Sequence, residues 1–142
     1  MKSTYSEMKK RSVEWIGEIP EQWETKYLFQ IVSQVKCKNI NGQETNLLSL
    51  SYGKIKRKNI ETTEGLLPAS FEGYNIVEPG DIVLRLTDLQ NDHTSLRVGK
   101  VRERGIITSA YVTLRPFQGE SQYLYYALHA YDLKKGFYGM GA

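Results

Sequence analysis

The sequence of 142 residues has one cysteine, Cys37, and two histidines, His93 and His129. A single thiol excludes an internal disulfide. No Cys-x-x-Cys pair or Cys/His cluster of zinc-binding spacing is present. No apolar run approaches the roughly 18 residues of a membrane-crossing helix. The opening stretch Met1 to Arg11 is charged and lacks the apolar stretch of a secretory leader. These absences make a cytoplasmic location without membrane association the expectation.

Catalytic signatures are missing as well. There is no Gly-rich phosphate loop, no Gly-x-Ser-x-Gly elbow and no His-Glu-x-x-His pair. The Asn-Pro-Pro-Tyr tetrapeptide of amino-methyltransferases is absent. Gly139-Met140-Gly141 has no following helix pattern, so it is not a dinucleotide fingerprint. The expectation is a chain that is not an enzyme and holds no cofactor of its own. One set of residues argues the other way. Asp88, Asp92 and His93 share a polar stretch and carry donor types that bind divalent metals, which keeps a metal-dependent hydrolase as an alternative. Asp and Asn are also frequent in loops simply because they bond the local backbone.

What is present suits one globular domain. Hydrophobic residues make up 40% and charged residues 25%, ordinary values for a packed soluble chain. Residues 1–12 read as a lead-in and 13–142 as the domain. Val13, Trp15, Ile16, Ile19 and Trp23 anchor its start. Tyr27, Leu28, Ile31, Val32 and Val35 recur at helical spacing, so a helix is expected from Thr25, its N-cap, to Val35. Asn41-Gly42 marks a turn and Asn46 to Ser51 a strand. Tyr52 and Gly53 open a basic loop reaching Asn59. Tyr74 to Val77 and Ile82 to Leu86 read as strands around the turn Glu78-Pro79-Gly80-Asp81. Leu96 to Val101 and Ile106 to Leu114 are β-rich. Ser121 to Lys134 reads as a C-terminal helix with Gly136 at its C-cap. The sum is an α+β domain with a strand-rich centre and a helix near each end.

The net charge of +3 is modest, but the basic residues are grouped. Lys54, Lys56, Arg57 and Lys58 form one group. Arg97, Lys100, Arg102 and Arg104 form another. Lys54, Lys56, Arg57, Lys58 and Lys100 are candidates for phosphate contacts, which orient a protein on DNA. Between the groups lies Thr87 to Ser95, a stretch with almost no apolar residues. Amides suit adenine, guanidinium suits guanine and carboxylate suits the cytosine amino group. Arg85, Thr87, Gln90, Asn91, Asp92, His93, Ser95 and Arg97 are therefore the candidates for reading base edges. A domain of this length is roughly 35–40 Å across, given a radius of gyration of about 14 Å. Its face follows about half a turn of major groove. At ~1–3 kcal/mol per base pair, that is too little to select one genomic site. A second reading domain is expected in the working assembly. The ten tyrosines keep a different alternative open, a protein-interaction module that does not bind DNA.

Several segments together resemble the specificity subunit of type I restriction-modification systems. They are Val13-Glu14-Trp15-Ile16-Gly17-Glu18-Ile19-Pro20-Glu21-Gln22-Trp23-Glu24, Glu78 to Arg85, Thr87 to Asp92, Ser95 to Gly99, Gly105 to Tyr111, and Gly136 to Ala142. The resemblance covers roughly residues 12–142 and implies one target recognition domain. The implied fold is that of DNA methylase specificity domains, with a mostly antiparallel, curved sheet. The implied role is reading one half of a bipartite duplex target. The implied partners are double-stranded DNA, methyltransferase subunits that use S-adenosylmethionine, and a restriction translocase that uses ATP and Mg²⁺. The chain ends before the long spacer helix that follows this domain in the family. A half-subunit or an isolated first recognition domain is therefore expected, with a second recognition domain or self-association completing the reader.

Overall fold

A computed structural model of the chain describes residues 12–13, 17–18, 28–59, 68–117 and 121–139. The chain divides into two compact units, residues 1–31 and 32–142. In the first, β1 (Ser12–Val13) pairs antiparallel with β2 (Gly17–Glu18), and Leu28–Gln30 forms a 3-10 turn. The expected N-cap Thr25, the anchors Trp15, Ile16, Ile19 and Trp23, and the segment Met140 to Ala142 lie outside the described residues.

The second unit is built on a four-stranded antiparallel sheet of order β3-β10-β7-β8. Its strands are β3 (Val32–Gln34), β7 (Ile82–Leu84), β8 (Val98–Lys100) and β10 (Val112–Pro116). Strand β7 is central and buried on both faces. That accounts for its unbroken apolar run Ile82-Val83-Leu84, where a half-exposed strand would alternate. Ile82 and Leu84 face one core with Val98, Leu114, Leu124 and Phe137. Val83 faces another with Leu48, Val77, Val101 and Ile107. Helix α1 (Ser121–Leu133) covers the first core with Leu124, Leu128 and Tyr131. A hairpin of β4 (Leu48–Ser51) and β5 (Lys54–Arg57), and a pair formed by β6 (Asn75–Val77) and β9 (Gly105–Ile107), close over the second. The result is an α+β domain with mostly antiparallel strands. Among the described residues no helix is long and apolar enough to cross a membrane.

Three expectations are corrected, and one β-rich run divides between two sheets. The helix predicted over Thr25 to Val35 is absent where residues are described. A 3-10 turn leads into β3, which pairs Val32, Ser33 and Gln34 with β10. Ile31, Val32 and Val35 are β-branched and stiff. Edge pairing with β10 and burial of Val32 override the helical spacing. The described residues thus hold one α-helix, not a helix near each end. The basic segment after Gly53 is a strand rather than a loop, with Ile55 half-buried and packed on the second core. The run Ile106 to Leu114 is two strands in different sheets. Between them Tyr111 N–H donates to Thr108 O at 3.3 Å. Finally, Lys135 and not Gly136 takes the left-handed conformation after α1, with φ 61°. Gly136 meets a different constraint: a Cβ there would lie 2.3 Å from the Tyr131 ring.

Two buried polar groups fix the connections. Asp81, 1% exposed, accepts Arg115 Nε at 2.7 Å and Arg115 Nη2 at 2.9 Å, and also the Glu78 N–H. This ties the expected turn at Pro79-Gly80 to β10. Asn39 bonds Glu44 through both its N–H and carbonyl, and donates to Phe71 O.

Packing is tight where β9 meets the chain leading into β4. A Cβ at Gly105 would lie 2.5 Å from Asn46 O and 2.7 Å from the Leu48 side chain. Gly105→Ala is expected to destabilise the domain by about 1–3 kcal/mol, the usual cost of overpacking. Urea denaturation checks this through a lower midpoint at unchanged slope.

Candidate nucleic-acid interface

The polar stretch Thr87 to Ser95 forms the connection between β7 and β8, inside a longer span from Arg85 to Arg97. Its backbone is not held by sheet pairing. It is held from within by Arg97. That side chain is 0% exposed. Its guanidinium donates to Arg85 O at 2.9 Å, Thr87 O at 2.7 Å, Asp88 O at 3.4 Å and Asp92 O at 2.5 Å. Five fixed N–H donors in a plane suit a ring of carbonyls in a way that a lysine point charge does not. Arg97 Nε donates to Tyr138 Oη at 3.1 Å, and the guanidinium lies 4.9 Å from that ring's centroid. The Arg97 backbone N–H donates to buried Asp132 of α1 at 2.7 Å. Arg97 is therefore no base reader. The sequence places a guanidinium beside a polar loop, and the structure turns it inward because the loop carbonyls need donors.

Asp92 is the second internal brace. Its Oδ1 accepts the N–H groups of Thr94 at 3.1 Å and Ser95 at 3.0 Å. The Ser95 hydroxyl first, then the backbone donors of Ser95 and Thr94, hold its carboxyl well below the ordinary carboxylate range. Asp88 takes a positive φ of 56° and accepts Asn91 Nδ2 at 2.9 Å. The His93 ring sits 4.9 Å from Tyr138, its Nε2 is 2.8 Å from Gln90 O, and its carbonyl accepts Lys135 Nζ. Asp88, Asp92 and His93 thus each serve local loop geometry. Among the described residues no three acidic, histidine or cysteine side chains are grouped to hold a metal ion.

With the carbonyls turned in, the loop's side chains divide. Gln90, Asn91, His93 and Thr94 are exposed. Arg85, Thr87 and Ser95 are half-buried, and Arg85 bonds Thr87 Oγ1 at 3.4 Å and stands 3.9 Å from Asp92 Oδ2. The outward set available to a partner is therefore smaller than the sequence suggests.

The β4–β5 hairpin lies alongside. Pairing of Ser49 with Lys56 and Ser51 with Lys54 puts these four residues on one face, because side chains alternate along a strand. A groove of about 340 Å³ separates the hairpin from the loop, lined by Ser51, Tyr52, Arg85, Thr94 and Ser95. A second groove of about 310 Å³, on the other side of the hairpin tip, gathers Lys54, Lys56, Lys100, Arg102 and Tyr125. The fold thus brings Lys54 and Lys56 of one basic group together with Lys100 and Arg102 of the other. Their members are not equivalent. Arg57 is committed to Glu103 at 2.7 Å, and Lys100 Nζ bonds Gln122 at 2.5 Å. Arg104 pairs with Glu44 at 3.1 Å and also with Glu78. Lys54, Lys56, Lys58 and Arg102 are exposed, with no ion pair among the described residues. Two residues of this surface escaped the sequence reading. Tyr52 sits in a hairpin turn that carries no Asn-Gly or Asp-Gly signal. Tyr125 is marked by no motif, and its hydroxyl donates to Gly53 O at 3.2 Å.

Arg97→Met removes donors from four part-buried carbonyls and is expected to destabilise the domain by about 1–3 kcal/mol, since groups that water can reach lose less than fully buried ones. Amide exchange of the Asp92 N–H, which bonds Asp88 O, checks whether the loop opens before the rest of the domain. Asp92 gives a pH signature. A lowered folded-state pKa contributes stability that is present above the unfolded carboxylate value of about 3.9 and is lost as pH falls through the folded value. Protection of the Thr94 and Ser95 amides is therefore expected to persist at pH 4 and to fail only in stronger acid. Asp92→Asn removes that pH dependence.

Against protein-family models, curated proteins and solved structures alike, the chain has no match.

Proposed function

We propose that the chain is a non-catalytic, sequence-reading domain for duplex DNA. The observation that carries this reading is one hairpin that shares a groove with a polar, internally braced loop and lines a second groove with Lys54, Lys56, Lys100 and Arg102. Phosphate contacts orient, and short-range groups on base edges specify. Lys54, Lys56, Lys58 and Arg102 suit the first task. Gln90, Asn91, His93 and Thr94 suit the second. Arg85, Thr87 and Ser95 line or border the groove and serve at shorter range. Arg97, Asp92, Asp132 and Tyr138 position the loop without touching DNA.

The finer reading rests on the family resemblance of the sequence. In it the domain has the DNA methylase specificity fold and reads one half of a split target. Methyltransferase subunits carrying S-adenosylmethionine and an ATP-driven restriction subunit are its partners. A second recognition domain, or a second copy, supplies the other half-site. One observation favours a different reading, a protein-docking module. Tyr123, Tyr126 and Leu133 on α1 are 72%, 59% and 59% exposed. That module retains no DNA in a salt-dependent way.

Selection from a random duplex library by this chain fused to a second recognition domain tests the proposal. Recovery of a short motif supports it, and recovery of none sinks it. Lys54→Ala and Lys56→Ala are each expected to weaken binding to every sequence and to flatten the salt slope by about one unit. Gln90→Ala and Asn91→Ala are expected to relax preference at single positions, at ~1–3 kcal/mol each.

A further inference from the structure

The hairpin tip departs from local backbone preference at one residue. Two residues alone, Tyr52 and Gly53, join β4 to β5, with Ser51 paired to Lys54. Both have positive φ, 52° and 73°. Tight hairpin turns of this kind favour Asn, Asp or Gly at the first position. An aromatic L-residue is disfavoured there, because its Cβ crowds the following carbonyl.

Burial does not compensate. Tyr52 is 84% exposed, more than any other large hydrophobic side chain among the described residues. The turn itself is firmly held. Gly53 is buried, Tyr125 bonds its carbonyl, and a Cβ on it would come within 3.1 Å of Leu96. An anchored turn therefore projects an unburied aromatic ring at the lip of the groove it shares with Arg85, Thr94 and Ser95. Lys54 and Lys56 follow directly. Strained non-glycine residues that persist without a packing reason concentrate at functional sites.

We propose that Tyr52 is a specificity-determining DNA contact whose ring lies against the apolar edge of a thymine, next to the base pairs faced by Thr94. This rests on the DNA-binding reading. The outward loop groups Gln90, Asn91 and His93 are hydrogen-bonding groups. Thymine is distinguished in the major groove by its 5-methyl, which is read by apolar contact. Tyr52 supplies a large apolar surface on the groove that it shares with Thr94 and Ser95 of the same loop.

The test compares wild type, Tyr52→Phe and Tyr52→Asn on the duplex selected by the wild-type fusion. Tyr52→Asn is expected to unfold at the same temperature or a few degrees higher, because asparagine tolerates the left-handed region. Its affinity for the selected duplex is expected to fall about tenfold, the discrimination of one base contact. Tyr52→Phe keeps the ring and stays within about twofold. Replacing the contacted thymine by uracil removes only the methyl. It weakens wild type and leaves Tyr52→Asn unchanged. Wild-type affinity in Tyr52→Asn, lowered thermal stability in Tyr52→Asn, or indifference of wild type to uracil each overturns the assignment. If wild type selects no duplex, the DNA-binding reading falls and this contact falls with it. If wild type selects and Tyr52→Asn matches it, only the contact falls.

Discussion

A buried guanidinium surrounded by carbonyls is the interaction on which the rest of this surface depends. The connection from Arg85 to Arg97 leaves a sheet whose backbone groups are paired and enters a stretch whose groups are not. Carbonyls shielded from water, wholly or in part, require donors, and an orphaned one costs up to a lost hydrogen bond. Arg97 answers this with one planar group reaching four of them. Burying a charge without a counter-ion is costly. Here the cost is offset by those carbonyl dipoles, by Tyr138 and by the nearby Asp132, which accepts the Arg97 backbone N–H. Inside the loop, Asp92 does for backbone donors what Arg97 does for acceptors. The loop's shape is therefore set mainly by two side chains of opposite charge, with Asn91 bonded to Asp88 and His93 to Gln90 O adding local ties.

The sheet gives this device its footing. Strand β7 is buried on both faces, and β8 lies beside it and beneath α1, so the two ends of the loop are fixed at adjacent strands. Helix α1 then serves both sides of the candidate interface. Asp132 and the chain just beyond the helix, Lys135 and Tyr138, clamp the loop, while Tyr125 pins the hairpin tip. Both walls of the groove thus rest on one helix and the chain just beyond it.

Much of the strand framework was legible in the sequence. The turn at Pro79-Gly80, the strands on either side of it, the polar loop and the C-terminal helix each carry a local signal that agrees with their tertiary role. The differences have two causes, tertiary contact overriding local pattern and an atypical turn. Ile31, Val32 and Val35 sit at helical spacing, yet Val32 is buried as an edge strand. Lys54 to Arg57 reads as a loop because three of its four residues are cationic, yet Ile55 alone is enough to seat it on the second core. The hairpin was missed because its turn is Tyr-Gly where Asn-Gly or Asp-Gly is the usual signal. The polar composition of the loop was likewise visible from residue types. Which residues face inward was not, since nothing in a sequence says that an arginine next to a polar loop will serve the loop's own carbonyls.

The same logic separates the cations. Arg57, Arg104 and Arg115 are engaged with carboxylates of the chain itself, and Arg115 braces a buried partner. Arginine suits these roles because its planar fork can meet both oxygens of a carboxylate. Lys54, Lys56, Lys58 and Arg102 are exposed on or near the hairpin with no ion pair among the described residues, and three of these four are lysines. A lysine is a mobile point charge on a flexible stem, able to follow a phosphate without demanding one geometry. The protein thus keeps its directional cations for structure and leaves mainly its non-directional ones at the surface. On the proposed reading, affinity would then come from lysines that tolerate any sequence. Discrimination would come from the few outward groups of the loop and the ring at the hairpin tip, the loop being tied chiefly by Arg97 and Asp92 and the tip by Tyr125.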